Sequence, residues 1–449
     1  MSEKRSGFSS RIGFVLAAAG SAVGLGNLWR FPYLAARYGG GIFLLVYLVL
    51  ALTLGFTLML AEIAIGRKTG LSAIGAFRSL NKKYTFIGYL ASIPPVIILP
   101  YYCVIGGWVT KYLFVYLTGQ GGAATQPSYF DNFVVQPLQP VLWFALFLGV
   151  TALVVLLGVE KGIEKVSKWM MPVLVVLSLF MAVYVLFLPG ALDGVVYYLK
   201  PDFSHFSAKT VLAAMGQLFY SMSLAMGIMV TYGSYMKKED DLTGAVHQIE
   251  IFDTGIAFLS GLMIVPAVFA FSGGDPEALG QGTSLMFKTL PQVFHHMPGG
   301  HIIGGVFFLL VLLAALTSSI SLMETVVSIL QDRLKWSRRV TCLAVLGLSV
   351  LLGVPSSLGK GAWNHIRLLG NDFFDFFDFA ANSVVMPVVA ILICLFVGYV
   401  LKPKTIIEEA RLSRRNATLF TVIIRYVAPV CILLILITSV LDELGLFSF

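Results

Sequence analysis

Apolar residues along the chain run in blocks of about twenty, long enough for a helix to cross a hydrocarbon core of about 30 Å. Eleven such blocks stand out, near 12–36, 41–66, 86–117, 140–158, 167–188, 209–235, 242–273, 301–331, 339–354, 372–401 and 418–440. Two of them are interrupted. The first carries Gly20, Ser21, Gly24, Gly26, Asn27 and Arg30 before Pro32. A glycine in a helix interior costs about 1 kcal/mol relative to alanine, and an arginine at bilayer depth about 3 kcal/mol or more without a partner. Such a break is tolerated where the freed carbonyls and side chains line a buried site. Residues 20–27 therefore read as a discontinuity that binds something polar near the membrane midplane, with Arg30 just outside it. About two hundred residues later, Gln217, Tyr220, Ser221, Ser223 and Gly227 interrupt a second long apolar block.

Two interrupted helices, each first in a set of five spans, point to a transporter built from inverted repeats with its site between them. The expected fold is an all-α polytopic membrane protein of about eleven transmembrane helices, a 5+5 inverted repeat with helices 1 and 6 broken. The repeats are residues 12–200 and 201–401. A cytoplasmic arm (1–11) precedes them, and a cytoplasmic linker with the eleventh span (402–449) follows. Residues 272–300, rich in glycine and proline, form an external segment inside the second repeat.

Composition agrees with a membrane protein: 58% of the 449 residues are hydrophobic and 12% charged, with a mean hydropathy of +0.87, too little polar surface to cover a soluble globule. The net charge of +8 comes from sorting. Lys4, Arg5 and Arg11, then Arg67, Lys68, Arg78, Lys82 and Lys83, then Lys161, Lys165 and Lys168, Lys237 and Lys238, Arg333 to Arg339, and Lys402 to Arg415 all fall in alternate loops. The positive-inside rule puts those loops and the N-terminus in the cytoplasm of a cell-membrane protein, with Phe449 outside. No basic stripe interleaved with stacking aromatics indicates nucleic acid. Cys103, Cys342, Cys394 and Cys431 lie in apolar blocks without paired spacing. Asn416 fits a glycosylation acceptor, but on the side where it would stay unmodified.

Taken together, Gly20–Pro32, Gly39–Gly41, Ala61–Arg67, Tyr101–Tyr102, Gln217–Gly227 with Thr231–Tyr235, Ala314–Ser319 and the pair Asp375 and Asp378 resemble the neurotransmitter:sodium symporter family across spans 1–10, in particular its bacterial amino-acid transporters. The resemblance implies sodium-coupled symport of an amino acid, with two sodium ions. One ion would lie among the Ala22 carbonyl, Asn27, Ser221, Asp253 and the substrate carboxylate. The other would take the carbonyls of Gly20, Val23 and Ala314 and the hydroxyls of Thr317 and Ser318. Hard cations require such oxygen ligands, and Thr317, Ser318 and Ser319 already form a hydroxyl cluster in an aliphatic span.

The substrate pocket implied by the resemblance is made by Ala22, the Gly24–Leu25–Gly26 backbone, Tyr102, Ser221, Ser223 and Ser318, with Ile98, Tyr220, Met226 and Leu322 around the substrate side chain. Amine-carrying relatives have aspartate where this chain has Gly24, so a substrate that brings its own carboxylate is expected, apolar or aromatic. Asp253 would ligate sodium, replace the chloride that animal relatives need, or do both, making transport chloride-independent. Arg30 with Asp378 would form an outer gate and Arg5 with Asp332 an inner one. Glu62 and Glu324 are expected in structural pairings. Gly162 and Pro172 mark either a helix that unwinds at its cytoplasmic end or a simple helix start with a tolerated proline.

An intramembrane enzyme is excluded by the lack of a nucleophile motif or metal-ligand motif at membrane depth. His295, His296 and His301 fall in the external segment without a fourth zinc ligand at recognisable spacing. A sensor that binds an amino acid without carrying it remains the alternative. No obligatory protein partner is evident; the expected partners are the amino acid and the lipid bilayer.

Overall fold

The computed structural model describes residues 7–275, 279, 282–443 and 446. Over these residues the chain is helical, with two isolated β-bridges and no strand. Among the described residues, nine helices are long and apolar enough to cross a membrane, or ten if Arg11–Ala22 and Gly26–Arg37 count as one span bent by 54°. These coincide with ten of the expected blocks. The block 209–235 is instead two helices, Ala208–Ser221 and Ile228–Gly233, because residues 222–227 leave the helical path entirely. Ser223 (φ 52°) and Ala225 (φ 61°) take left-handed backbone there, at about 1–3 kcal/mol each, a cost that persists only where the surroundings enforce it.

The helix Arg11–Ala22 lies at the centre, packed among Lys165–Leu186, Leu242–Ser272 and Gly300–Leu334. The helix Gly300–Leu334 in turn runs along Thr85–Leu117. Residues 159–164 form a wide π-helical turn, after which Lys165–Leu186 continues through Pro172 without interruption. The Gly162 end is thus wound.

Loops carrying the sorted positive charge meet on one face. Arg67 Nε lies 2.9 Å from Glu409 and Arg67 Nη1 donates to the Asp240 carbonyl at 2.8 Å. Lys237 Nζ donates to the Ser9 carbonyl at 2.6 Å. Glu164 accepts from Ser9 and Ser10 and pairs with Lys168 at 2.7 Å. Partial burial opposes ionisation of Glu409, but Arg67 and Lys238 outweigh it and hold this carboxylate below its usual range. At the other end, Lys288 reaches Asp131 at 2.7 Å, and Phe287 stacks on Phe130 with ring centroids 4.9 Å apart.

One close crossing positions the second break. A Cβ on Gly66 would come 1.9 Å from the Val230 carbonyl oxygen, and one on Gly233 would come 2.3 Å from that of Ile63. The helices Phe56–Thr69 and Ile228–Gly233 therefore touch backbone to backbone, as small residues allow in membranes. Glu62, one turn before Gly66 and on the same face, is brought to the Ala225 amide, which donates to its Oε1 at 2.7 Å. Glu324 meets Arg338 and accepts from the Tyr235 hydroxyl at 2.7 Å.

Gly66→Ala is expected to destabilise the protein by about 1–3 kcal/mol through overpacking. Gly149→Ala, where nothing lies within 4 Å of the new methyl group, should change little. Thermal unfolding of the two variants in detergent measures the difference, and equal melting temperatures would contradict the crossing.

Candidate functional site

The first break begins where Val23, with extended backbone, leaves the helix after its amide has closed onto Ala19 at 2.7 Å. The next amides turn elsewhere. Gly24 N donates to Asn27 Oδ1 at 3.1 Å and Leu25 N to the Tyr102 hydroxyl at 3.3 Å. The carbonyls of Gly20 and Ser21 are thereby released from the next helical turn. A π-helical stretch, Gly26–Arg30, then leads into Phe31–Arg37. Asn27, inside this stretch, reaches back to the Gly24 amide and so takes up one donor that the break leaves free.

The freed carbonyls converge. Ser318 Oγ lies 3.3 Å from Gly20 O, 3.2 Å from Ser21 O and 3.2 Å from Val23 O. A hydroxyl has one proton, so it can satisfy only one of these acceptors well. What remains is an oxygen-rich, buried cluster suited to a hard cation. Thr317, the neighbouring hydroxyl, hydrogen-bonds to Ala314 O at 3.0 Å, and its Cβ stands 3.0 Å from where a Cβ on Gly20 would be. The five residues Gly20, Val23, Ala314, Thr317 and Ser318 are thus gathered at one place.

Asp253 is fully buried and accepts three hydrogen bonds, from Asn27 Nδ2 and Ser221 Oγ at 2.8 Å each and from the Tyr47 hydroxyl at 3.3 Å. The carboxylate thus ties the first break (Asn27), the end of Ala208–Ser221 and the helix Leu242–Ser272 together. Ala22 lies beside this group, on the wall of the adjoining cavity.

That cavity lies between the two breaks. Ala22, Gly24, Leu25, Gly26, Ile98, Tyr102, Tyr220, Ser221, Ser223, Met226, Ser318 and Leu322 all line it, joined by Ser21, Ile228 and Asn382. Its polar end is the break. Ser223 Oγ donates to Ser21 O at 2.9 Å, and a Cβ on Gly24 would stand 2.8 Å from Ser318 Oγ and 3.0 Å from the Tyr102 hydroxyl. Glycine at position 24 is what leaves room for both hydroxyls. Ile98, Met226, Ile228 and Leu322 give it aliphatic wall as well.

A second chamber of about 1140 Å³ sits beyond, lined by Trp29, Arg30, Tyr33, Tyr101, Lys360, Asp375 and Asp378 among others. Tyr220 and Asn382 line both chambers and so form the partition. The expected outer gate is not closed by an ion pair: among the described residues none joins Arg30 to Asp378. Asp378 instead accepts from the Tyr101 hydroxyl at 2.9 Å and from Asn382 Nδ2 at 2.7 Å. The Arg30 guanidinium lies over the Tyr220 ring, 5.1 Å from its centroid. Two neutral donors satisfy the carboxylate, and the aromatic face takes the cation.

Of the expected inner gate, Arg5 lies outside the described residues. Asp332 accepts from the amide and hydroxyl of Ser72 at 2.9 and 2.6 Å, at the start of the helix Ala73–Leu80. His295 and His301 share a small cavity, but no group of three metal-ligating side chains occurs among the described residues.

Tyr47, Gln217 and Asn382 were not among the expected site residues. Gln217 Nε2 donates to Gly26 O at 3.0 Å. Each is a polar side chain within an apolar block, and Asn382 follows Asp378 by one helical turn, a spacing that puts both on one face.

Comparison with known proteins agrees with this architecture. Residues 5–125 and 135–445 match the sequence profile of the sodium:neurotransmitter symporter family. The chain is 32% identical over 457 residues to an uncharacterized sodium-dependent transporter of Haemophilus influenzae, covering 97% of this chain and 98% of that one. It is 27% identical to the human sodium- and chloride-dependent GABA transporter 2, covering 88% and 73%. The crystal structure of MhsT in complex with L-phenylalanine superposes with a TM-score of 0.87 at 38% identity, over 97% of this chain and all of that one. The chain belongs to the sodium:neurotransmitter symporter family, and is a membrane transporter rather than an enzyme.

Proposed function

We propose that the protein carries apolar or aromatic L-amino acids into the cell together with two sodium ions, independently of chloride, by alternating access between its two five-span repeats. The supporting observation is the juxtaposition of the carbonyl cluster on Ser318 with a cavity walled both by polar groups of the helix break and by the aliphatic side chains Ile98, Met226, Ile228 and Leu322. An α-carboxylate would lie against the Gly24–Gly26 backbone, the Tyr102 hydroxyl and a sodium ion held by Ala22, Asn27, Ser221 and Asp253. The second ion would use Gly20, Val23, Ala314, Thr317 and Ser318. A flexible methionine suits a wall that accepts several side-chain shapes. MhsT, crystallised with L-phenylalanine, supports this substrate class.

The sorted positive loops support a cytoplasmic N-terminus. Two sodium ions moving with a zwitterion carry two charges, each worth about 2.3 kcal/mol per 100 mV. Their sum of about 4.6 kcal/mol sustains roughly thousandfold accumulation before any sodium gradient is added. Asp253 supplies a fixed negative charge where two sodium ions and a substrate ammonium bring three positive ones. At 4 Å and an effective dielectric of 20, each such interaction is about 4 kcal/mol, enough to take the place of an anion drawn from solution.

Uptake of labelled phenylalanine or leucine into proteoliposomes is expected to be electrogenic and to vanish when choline replaces sodium; undiminished uptake in choline would remove the coupling. Counterflow in the same vesicles separates transport from binding alone. Tyr102→Phe removes a donor to the carboxylate, about 1.5–3 kcal/mol for a charge-assisted bond. Amino-acid affinity should fall about 10- to 100-fold with sodium affinity less affected, and an unchanged KM would argue against this placement of the carboxylate. In gluconate, the wild type should transport as in chloride. Asp253→Ser should be weak in gluconate and recover in chloride, whereas a wild type that stops in gluconate would overturn chloride independence.

A further inference from the structure

A groove of about 1220 Å³ opens on the positively charged face, between the helix Ala73–Leu80 with the turn after it and the end of Gly300–Leu334. Arg78, Lys82, Arg333 and Lys335 line it. None of the four has an ion-pair partner among the described residues, in contrast to Arg67, Lys168 and Arg338 on the same face, which pair with Glu409, Glu164 and Glu324. The one carboxylate on the groove wall, Asp332, is engaged by Ser72. Four like charges held around one hollow repel one another, and a bound anion relieves that repulsion. The floor is aliphatic, formed by Leu71, Ile74 and Ile329.

We propose that this groove binds the headgroup of an anionic phospholipid. Its position fits that occupant: Gly300–Leu334 is a spanning helix that ends here, and the span Lys82–Leu117 begins here, so the four cations stand at headgroup level. The lining fits as well, since a free phosphate makes no use of the aliphatic side chains of Leu71, Ile74 and Ile329, whereas a phospholipid presents both a phosphate and glycerol and acyl carbons. A basic residue at an anionic membrane surface strengthens association about fivefold. Removing two of the four is therefore expected to weaken retention of the lipid about 25-fold.

The test is native mass spectrometry of the full chain from mixed micelles containing phosphatidylglycerol and phosphatidylcholine. The wild type should retain phosphatidylglycerol in preference to phosphatidylcholine. Arg78→Gln/Lys82→Gln should lose that preference about 25-fold, and Arg78→Lys/Lys82→Arg, which keeps both charges, should retain it. Millimolar inorganic phosphate should leave the bound lipid in place. Equal retention of the two lipids, a double glutamine variant indistinguishable from wild type, or displacement of the lipid by inorganic phosphate would each overturn the proposal.

Discussion

Inside a bilayer no water is available to a backbone amide or carbonyl, so every group freed by a broken helix must find a protein partner or a ligand. The two breaks of this chain answer that constraint differently. At 222–227 the protein supplies the partner: Glu62 takes the Ala225 amide and Ser223 reaches Ser21 O. At 23–25 the amides are satisfied by Asn27 and Tyr102, while the carbonyls converge on one serine hydroxyl that cannot satisfy them all. The donor deficit is confined to oxygens, and it faces the same cavity that both breaks line. A cation and a carboxylate are complementary to that arrangement, the one to the carbonyls and the other to the half-helix start.

The long apolar blocks were legible because the bilayer imposes a length and leaves few alternatives. The first break was legible too, since three glycines with Asn27 and Arg30 contradict a continuous membrane helix within a dozen residues. Less could be read where the deciding partner comes from another helix. Ser223 and Ala225 are ordinary residues in left-handed backbone, and Glu62, which meets the Ala225 amide, lies far away in sequence. The outer chamber shows the same limit. Arg30 and Asp378 are opposite charges on facing elements, which suggests a pair. Tyr101 and Asn382 satisfy Asp378 first, and the Tyr220 ring takes Arg30.

Asp253 illustrates how one buried charge can organise three elements. Its partners Asn27, Ser221 and Tyr47 lie on three different segments, so the two half-sites cannot separate without exposing a carboxylate to an apolar interior. The Glu62 contact acts at a second point on the same assembly. It joins the residues just before the half-helix Ile228–Gly233 to Phe56–Thr69, the same pair of elements that meets at the Gly66–Gly233 crossing.

Tyr220 has one ring with two sides. One side borders the inner cavity, the other the outer chamber, and a guanidinium rests on it. With Asn382 the ring divides the two chambers, and because the same ring carries the Arg30 guanidinium, an occupant that turned it would move the cation with it.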